Sequence, residues 1–190
     1  MSQAKVLSDA ELKRVLAVVA TMKHGQRNRL LVLLSFQAGM RAGEIAALKV
    51  GHVLNSDGSV RDRVHLSNDQ TKGNRQRTVI LSRRLQSEIL NFVSELTGRS
   101  AERDQPLIQS QKRGHFSATT LVMLFREIFD QAGLPDARSH SGRRSFITKL
   151  ANKGVSVRVV QTLAGHSSMQ TTQRYIDVNE GMLVEAVELA

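Results

Sequence analysis

The segment "LAGHSSMQTTQRYIDV", residues 163–178, places the only tyrosine of the chain, Tyr175, nine positions after His166. Two earlier segments carry arginines beside small residues. "AGMRAGE" at 38–44 sets Arg41 three positions ahead of Glu44, and "HSGR" at 140–143 sets His140 and Arg143 on one face of any helix that spans them. "TKGNRQRTVIL" at 71–81 sets Lys72 at the turn of a hairpin pattern. Each has a bland reading alone. Arg41 is either paired with Glu44 or a fork offered to phosphate. Lys72 is either a surface lysine or one delivered into a site by a loop. His140 and Arg143 either open a helix with a solvated Arg or share a functional face. A lone His after Gly, and a lone Tyr, are usually structural.

Taken together these residue types suit transfer of a phosphodiester. A tyrosine oxygen can attack phosphorus, but with a pKa of about 10 it needs positioning and a proton acceptor. The transition state spreads negative charge over non-bridging oxygens, which two bidentate arginines can hold. A lysine can protonate the leaving sugar oxygen, and histidines can relay protons or bond the phosphate. This scheme requires no metal. The chain shows no obvious carboxylate cluster for Mg²⁺, and its histidines lack the H-E-x-x-H spacing of zinc hydrolases.

Those residues need elements to hold them. "SDAE" at 8–11 reads as a capping box ahead of Leu12, Val15, Leu16 and Val19 at helical spacing. "RNRLLVLLSFQAG" at 27–39 predicts a mostly buried helix stopped at Gly39, and "AGEIAALKV" at 42–50 starts a third. The period then changes. "RVHLS" and "RTVIL" alternate like strands around a Gly-Asn turn, so 60–81 reads as a small antiparallel sheet. Leu85, Ile89, Phe92, Val93 and Leu96 mark another helix, followed by a polar connector at 98–106. Ser117 caps a helix that points Leu121, Leu124, Phe125 and Ile128 inward, and "AGLPDA" ends it. Two or three short helices follow from about Ser141 to Tyr175, broken at Gly154 and Gly165, and "EGMLVEAVEL" is a last amphipathic helix. The expected fold is mainly α with a small antiparallel β-sheet.

With 190 residues, a sizeable core in one domain is expected. There is no cysteine, which excludes disulfides, Cys-ligated zinc and thiol catalysis and fits a reducing cytoplasm. No apolar run approaches the roughly 18 residues that span a bilayer, and the N-terminus lacks the apolar centre of a signal peptide. The net charge of +10 suggests a polyanion, nucleic acid first and an anionic membrane surface second. Its distribution says more. Between Arg138 and Ile176 there are seven Lys or Arg and no Asp or Glu, whereas from Asp177 onward there are four acidic residues and no basic one. The last helix is thus unsuited to phosphate. It either packs on its own domain or docks on a neighbouring protomer.

The ordered set of motifs resembles the catalytic domain of the tyrosine recombinases, also called the phage integrase family. "GMRAGEIAALKV" resembles the first arginine box, "TKGNRQRTVIL" the β-hairpin lysine segment, and "HSGRRSFITKLANKGVSVRVVQTLAGHSSMQTTQRYIDV" the second box. The resemblance implies site-specific recombination of double-stranded DNA through a 3′-phosphotyrosine link, without ATP or metal cofactor, by protomers gathered in a synaptic tetramer. It implies that Arg41 and Arg143 clamp the scissile phosphate and that Lys72 is the general acid. It also implies that His140 and His166 assist proton transfer and phosphate binding, that Glu44 supports the site, and that Tyr175 is the nucleophile. A non-catalytic DNA-binding regulator and a topoisomerase-like nick-and-reseal enzyme are the competing readings. Two positions depart from the family pattern: Gly142 stands where Leu is common, and Ile80 where Pro is common. Arg41 comes too early to leave room for the N-terminal core-binding domain of many members. The expectation is a single catalytic domain over 1–190, with 179–190 as its tail helix, which also fits a piece of a longer protein.

Overall fold

The Ser8 capping box forms as the sequence predicts. The Ser8 hydroxyl accepts from the Glu11 N–H at 3.2 Å, and a Glu11 carboxylate oxygen accepts from the Ser8 N–H at 2.9 Å. It starts α1 (Asp9–Thr21), which turns Val15 and Val19 into the core. These observations come from a computed structural model, which describes residues 4–71, 76–97, 102–176 and 180–188.

Helix α2 (Gly25–Ala38) runs through the middle of the molecule. Leu30, Leu31, Val32, Leu33 and Leu34 are all buried, so nearly every face of that helix meets protein. Gly39 stops it at φ 60°, a left-handed conformation that side chains avoid, and Phe146 lies against the space a Cβ would need. The chain then forms α3 (Ala42–Ala46) and, after a break, α4 (Val50–Val53). The sequence predicts one helix from 42, and the break has a tertiary cause. Leu48 O accepts from Leu107 N–H at 2.8 Å, and Val50 N–H donates to Gln105 O at 3.0 Å. Backbone pairing with a distant segment thus takes groups that a continued helix would have used.

The sheet is antiparallel, as expected, but shorter than 60–81. β1 (Arg63–Leu66) pairs with β2 (Arg77–Ile80), with a 3₁₀ turn at Asn68–Gln70 between them. The register sets Val64 against Val79 and Leu66 against Arg77. The Gly-Asn turn, and with it Lys72, lies outside the described residues. α5 (Arg83–Thr97) buries Leu85, Ile89 and Val93. α6 (Ala118–Gln131), capped by Ser117, buries Leu121, Phe125, Ile128 and Phe129.

Three short helices follow, α7 (Ser141–Ala151), α8 (Val157–Ala164) and α9 (Met169–Gln173); Arg143 lies on α7, and His140, His166 and Tyr175 lie just outside the helix ends. Gly154 and Gly165, with φ 69° and 63°, make the two breaks the sequence predicts. α7 packs along α2 and against α8, while Ile147, Val160 and Ala164 form a small second core that Tyr175 joins. α10 (Glu180–Glu188) leaves Leu183, Val184 and Val187 exposed. Among the described residues, no helix is long and apolar enough to cross a membrane. The whole arrangement is mainly helical with one small sheet, as the patterning predicts.

Gly142, a departure from the family pattern, has a packing reason. A Cβ there would sit 2.3 Å from Ser35 Oγ and 2.8 Å from Ser35 Cβ. The pair Gly142 and Ser35 therefore lets α7 and α2 approach closely. Gly142→Leu is expected to lower stability by about 1–3 kcal/mol through overpacking. Urea denaturation checks this, and an unchanged midpoint refutes the close-approach role.

Candidate active site

The clustering begins at helix ends. Arg41 follows the left-handed Gly39 and occupies the cap position of α3. Its own N–H donates to Glu44 Oε2 at 2.8 Å, and its Nη1 donates to Glu44 Oε1 at 2.7 Å. Both readings of Arg41 therefore hold at once. One edge is tied to Glu44, while the residue lines a cleft of about 550 Å³. Glu44 is only 1% exposed, and its Oε2 also accepts from Arg77 Nη2 at 3.0 Å. A buried carboxylate that accepts from two guanidiniums ties both in place.

Arg143 sits on the first turn of α7 and is buried. Its Nη1 donates to Gly39 O at 2.7 Å and its Nη2 to Ala164 O at 2.5 Å. Burial, reinforced by Arg41 and Arg77, pushes its pKa down to about 9, which leaves it charged at neutral pH. Among the described residues it makes no ion pair within 4.0 Å. Two carbonyls take two of its five N–H groups and leave the rest for an incoming anion. His140 stands one turn earlier, at the cap of α7, exposed and lining the same cleft.

His166 follows the left-handed Gly165 that ends α8. Its carbonyl accepts from Gln161 Nε2 at 3.1 Å, and its Nδ1 lies 2.9 Å from the hydroxyl of buried Thr172. Burial, then the charges of Arg143, Arg41 and Arg77, pull its pKa down to about 4. The imidazole is therefore neutral at pH 7 and can accept a proton or a hydrogen bond. A bound anion would oppose the three arginines and raise its basicity. Thr172 also connects His166 to the tyrosine, since its carbonyl accepts from the Tyr175 N–H at 3.0 Å. The two rings stack, with centroids 5.7 Å apart and planes 20° apart, and the Arg144 guanidinium lies 5.9 Å over the Tyr175 ring.

The fold thus gathers Arg41, His140, Arg143, His166 and Tyr175 around one cleft, with Glu44 beneath it. Lys72 lies outside the described residues. Sequence reasoning missed Arg77, Thr172 and Arg144. A signal for Arg77 was available: it shares the core-facing side of β2 with Val79, where an arginine is out of place unless paired. Nothing in the local pattern marked Thr172 or Arg144. Their importance comes from what lies across from them.

An arginine-lined cleft beside one half-buried tyrosine, on a mainly helical domain with a hairpin, has the charge and the donors to receive a phosphodiester. A model of the phage integrase family matches residues 5–182, and the chain belongs to that family. It is 31% identical over 190 residues to the tyrosine recombinase XerA of Pyrococcus furiosus, covering 98% of this chain and 62% of that relative. It is 30% identical over 179 residues to the tyrosine recombinase XerD of Neisseria meningitidis, covering 91% and 58%. The chain therefore spans less than two thirds of the length of these relatives. Among solved structures, the XerA recombinase superposes with a TM-score of 0.77 at 24% identity, covering 100% of this chain and 66% of that one. The XerH site-specific recombinase bound to a palindromic difH substrate, in its post-cleavage complex, superposes with a TM-score of 0.71 at 26% identity, covering 96% and 51%.

Proposed function

We propose that this chain is the catalytic domain of a site-specific DNA recombinase that cuts and rejoins double-stranded DNA through Tyr175. The carrying observation is Arg143, a buried cation without an ion pair among the described residues, lining one cleft with Arg41 and Tyr175. Such a cation favours a bound anion, and two forks beside a phenol suit a phosphodiester.

In this reading Arg41 and Arg143 hold the non-bridging oxygens. The Tyr175 oxygen attacks phosphorus, the bond from phosphorus to the 5′ oxygen breaks, and a 3′-phosphotyrosine forms. Lys72 gives its proton to the leaving 5′ oxygen. His140 and His166 bond the phosphate and assist the transfer of the phenolic proton. Glu44 supports Arg41 and takes no part in proton transfer. The 5′ hydroxyl of a partner strand then attacks the phosphotyrosine and frees the enzyme. One phosphoester replaces another at each step, so no nucleotide triphosphate is consumed. Relatives carrying the printed names tyrosine recombinase XerA and XerD support this reading, as does the family membership. The expected partners are DNA at specific sites, in the cytoplasm, and further protomers in a synaptic tetramer. The test is covalent capture: wild-type protein, mixed with nicked duplexes of randomised sequence, should yield an adduct stable to denaturation and joined through Tyr175. Without that adduct the reading fails.

The tail belongs to the same reading. The exposed Leu183, Val184 and Val187 on an acidic helix fit a neighbouring protomer better than DNA. A chain ending at Asn179 is expected to fold and bind its site, yet to lose higher-order complexes and more strand exchange than single-site cleavage. Native gels and exchange assays read this, and normal assembly refutes it.

A further inference from the structure

One guanidinium in the molecule touches the supports of three candidate catalytic groups without lining the cleft itself. Arg77 opens β2, and its side chain is 6% exposed. Its Nη2 donates to Glu44 Oε2 at 3.0 Å, the carboxylate that also holds Arg41. Its Nη1 donates to Leu163 O and Ala164 O, each at 3.0 Å, and Ala164 O is the acceptor for Arg143 as well. The aliphatic stem lies on Gly165, where a Cβ would come within 2.8 Å of Arg77 Cδ, and His166 is the next residue. The fork thus joins β2, α3 and the end of α8 at one point. The last carbonyls of α8 are the negative end of that helix, which favours a cation there. A lysine could not replace it, because a single ammonium cannot span a carboxylate and two carbonyls in a fixed plane.

The geometry points to Arg77 as a positioning residue that holds Arg41, Arg143 and His166 in mutual register for cleavage, an inference that rests on the recombinase reading above. Arg77 touches no reacting atom in that scheme and acts through Glu44, the Ala164 carbonyl and Gly165. A misplacement of about 1 Å in such a constellation can cost 10²-fold in rate. Its charge also bears on the imidazole. The charged and titratable groups facing His166 are Arg41 ahead of α3, Arg77 on β2, Arg143 on α7 and Tyr175 beyond α9, with Arg138, His140, Arg144 and Arg174 around the rest of the cleft. Burial first, then Arg143, Arg41 and Arg77, hold His166 down at about 4.

The test uses the full chain as wild type, Arg77→Met and Arg77→Lys. Circular dichroism and thermal melting establish folding, and NMR follows the His166 ring through its titration in DNA-free protein. Binding and the rate of covalent capture are measured separately, on a nicked duplex recovered by the wild type from the randomised pool. Arg77→Met is expected to bind within about threefold of wild type, to cleave about 10²-fold more slowly, and to titrate His166 at a higher pH. Arg77→Lys is expected to keep the low His166 titration, since it keeps the charge, but to recover little of the rate, since it lacks the fork. Wild-type cleavage rates in Arg77→Met overturn the inference, as does an unchanged His166 titration. Full rescue by lysine overturns the role of the fork. Unfolding of both variants makes Arg77 a determinant of the fold and overturns the positioning role. Failure of the wild type to capture any duplex refutes the recombinase reading instead, and the titration in DNA-free protein then still decides whether Arg77 controls the site.

Discussion

Tyr175→Phe is expected to abolish covalent capture of DNA while leaving the fold and DNA binding nearly unchanged. The change removes one oxygen atom. The ring, and so its stacking on His166 and its contact with Arg144, is kept. Its packing against the small core of Ile147, Val160 and Ala164 also persists. Arg41 and Arg143 remain to hold phosphate, because neither depends on the phenol for its hydrogen bonds. No other tyrosine exists in the chain to substitute as nucleophile. Denaturing gels read the adduct, and a filter or shift assay reads the affinity. An adduct that persists in Tyr175→Phe eliminates Tyr175 as the nucleophile. A parallel loss of binding would mean that the phenol serves affinity instead of chemistry.

Lys72→Ala is expected to slow cleavage by about 10²–10⁴-fold, the usual worth of a general acid. The reason lies in the leaving group. A 5′ alkoxide is a poor leaving group in water, and Arg41, Arg143 and the histidines are assigned to the non-bridging oxygens and the phenolic proton. Lys72 lies five positions before Arg77, on the segment leading into β2. Arg77 ties the start of that strand to Glu44 and to the Ala164 carbonyl, beside Arg41 and Arg143. A substrate with sulfur at the 5′ bridging position leaves without needing a proton. It should therefore recover most of the loss in Lys72→Ala and little in an arginine variant. If the sulfur substrate recovers nothing, Lys72 contributes to binding and not to proton transfer.

Much of the scaffold was legible because local physics decided it. The Ser8 and Ser117 caps, the Gly39 stop and the breaks at Gly154 and Gly165 each depend on one or two neighbouring residues. The helix expected over 42–50 starts at Ala42 but is broken for the opposite reason: Leu48 pairs with Leu107 and Val50 with Gln105, more than 50 positions away, and no local pattern reports that. The sheet was too long in prediction because alternation marks strand-like chain without saying which residues find partners.

The site divides in the same way. Residue type and order in the sequence alone gave rise to the expectation of phosphoryl transfer, the family resemblance and the choice of Arg41, Glu44, Lys72, His140, Arg143, His166 and Tyr175 as candidates. Tertiary structure alone decided how Glu44 serves Arg41 and Arg77 at once, how buried Arg143 comes to donate to the Gly39 and Ala164 carbonyls, and why His166 is neutral. Arg77 and Thr172 belong to that second group. A side chain's chemical capacity is a property of its own atoms and can be read from its letter. Its charge state, its orientation and the proton it carries depend on burial and on groups brought near by folding, here from α2, α3, β2, α7 and α8, and sequence spacing does not encode those distances.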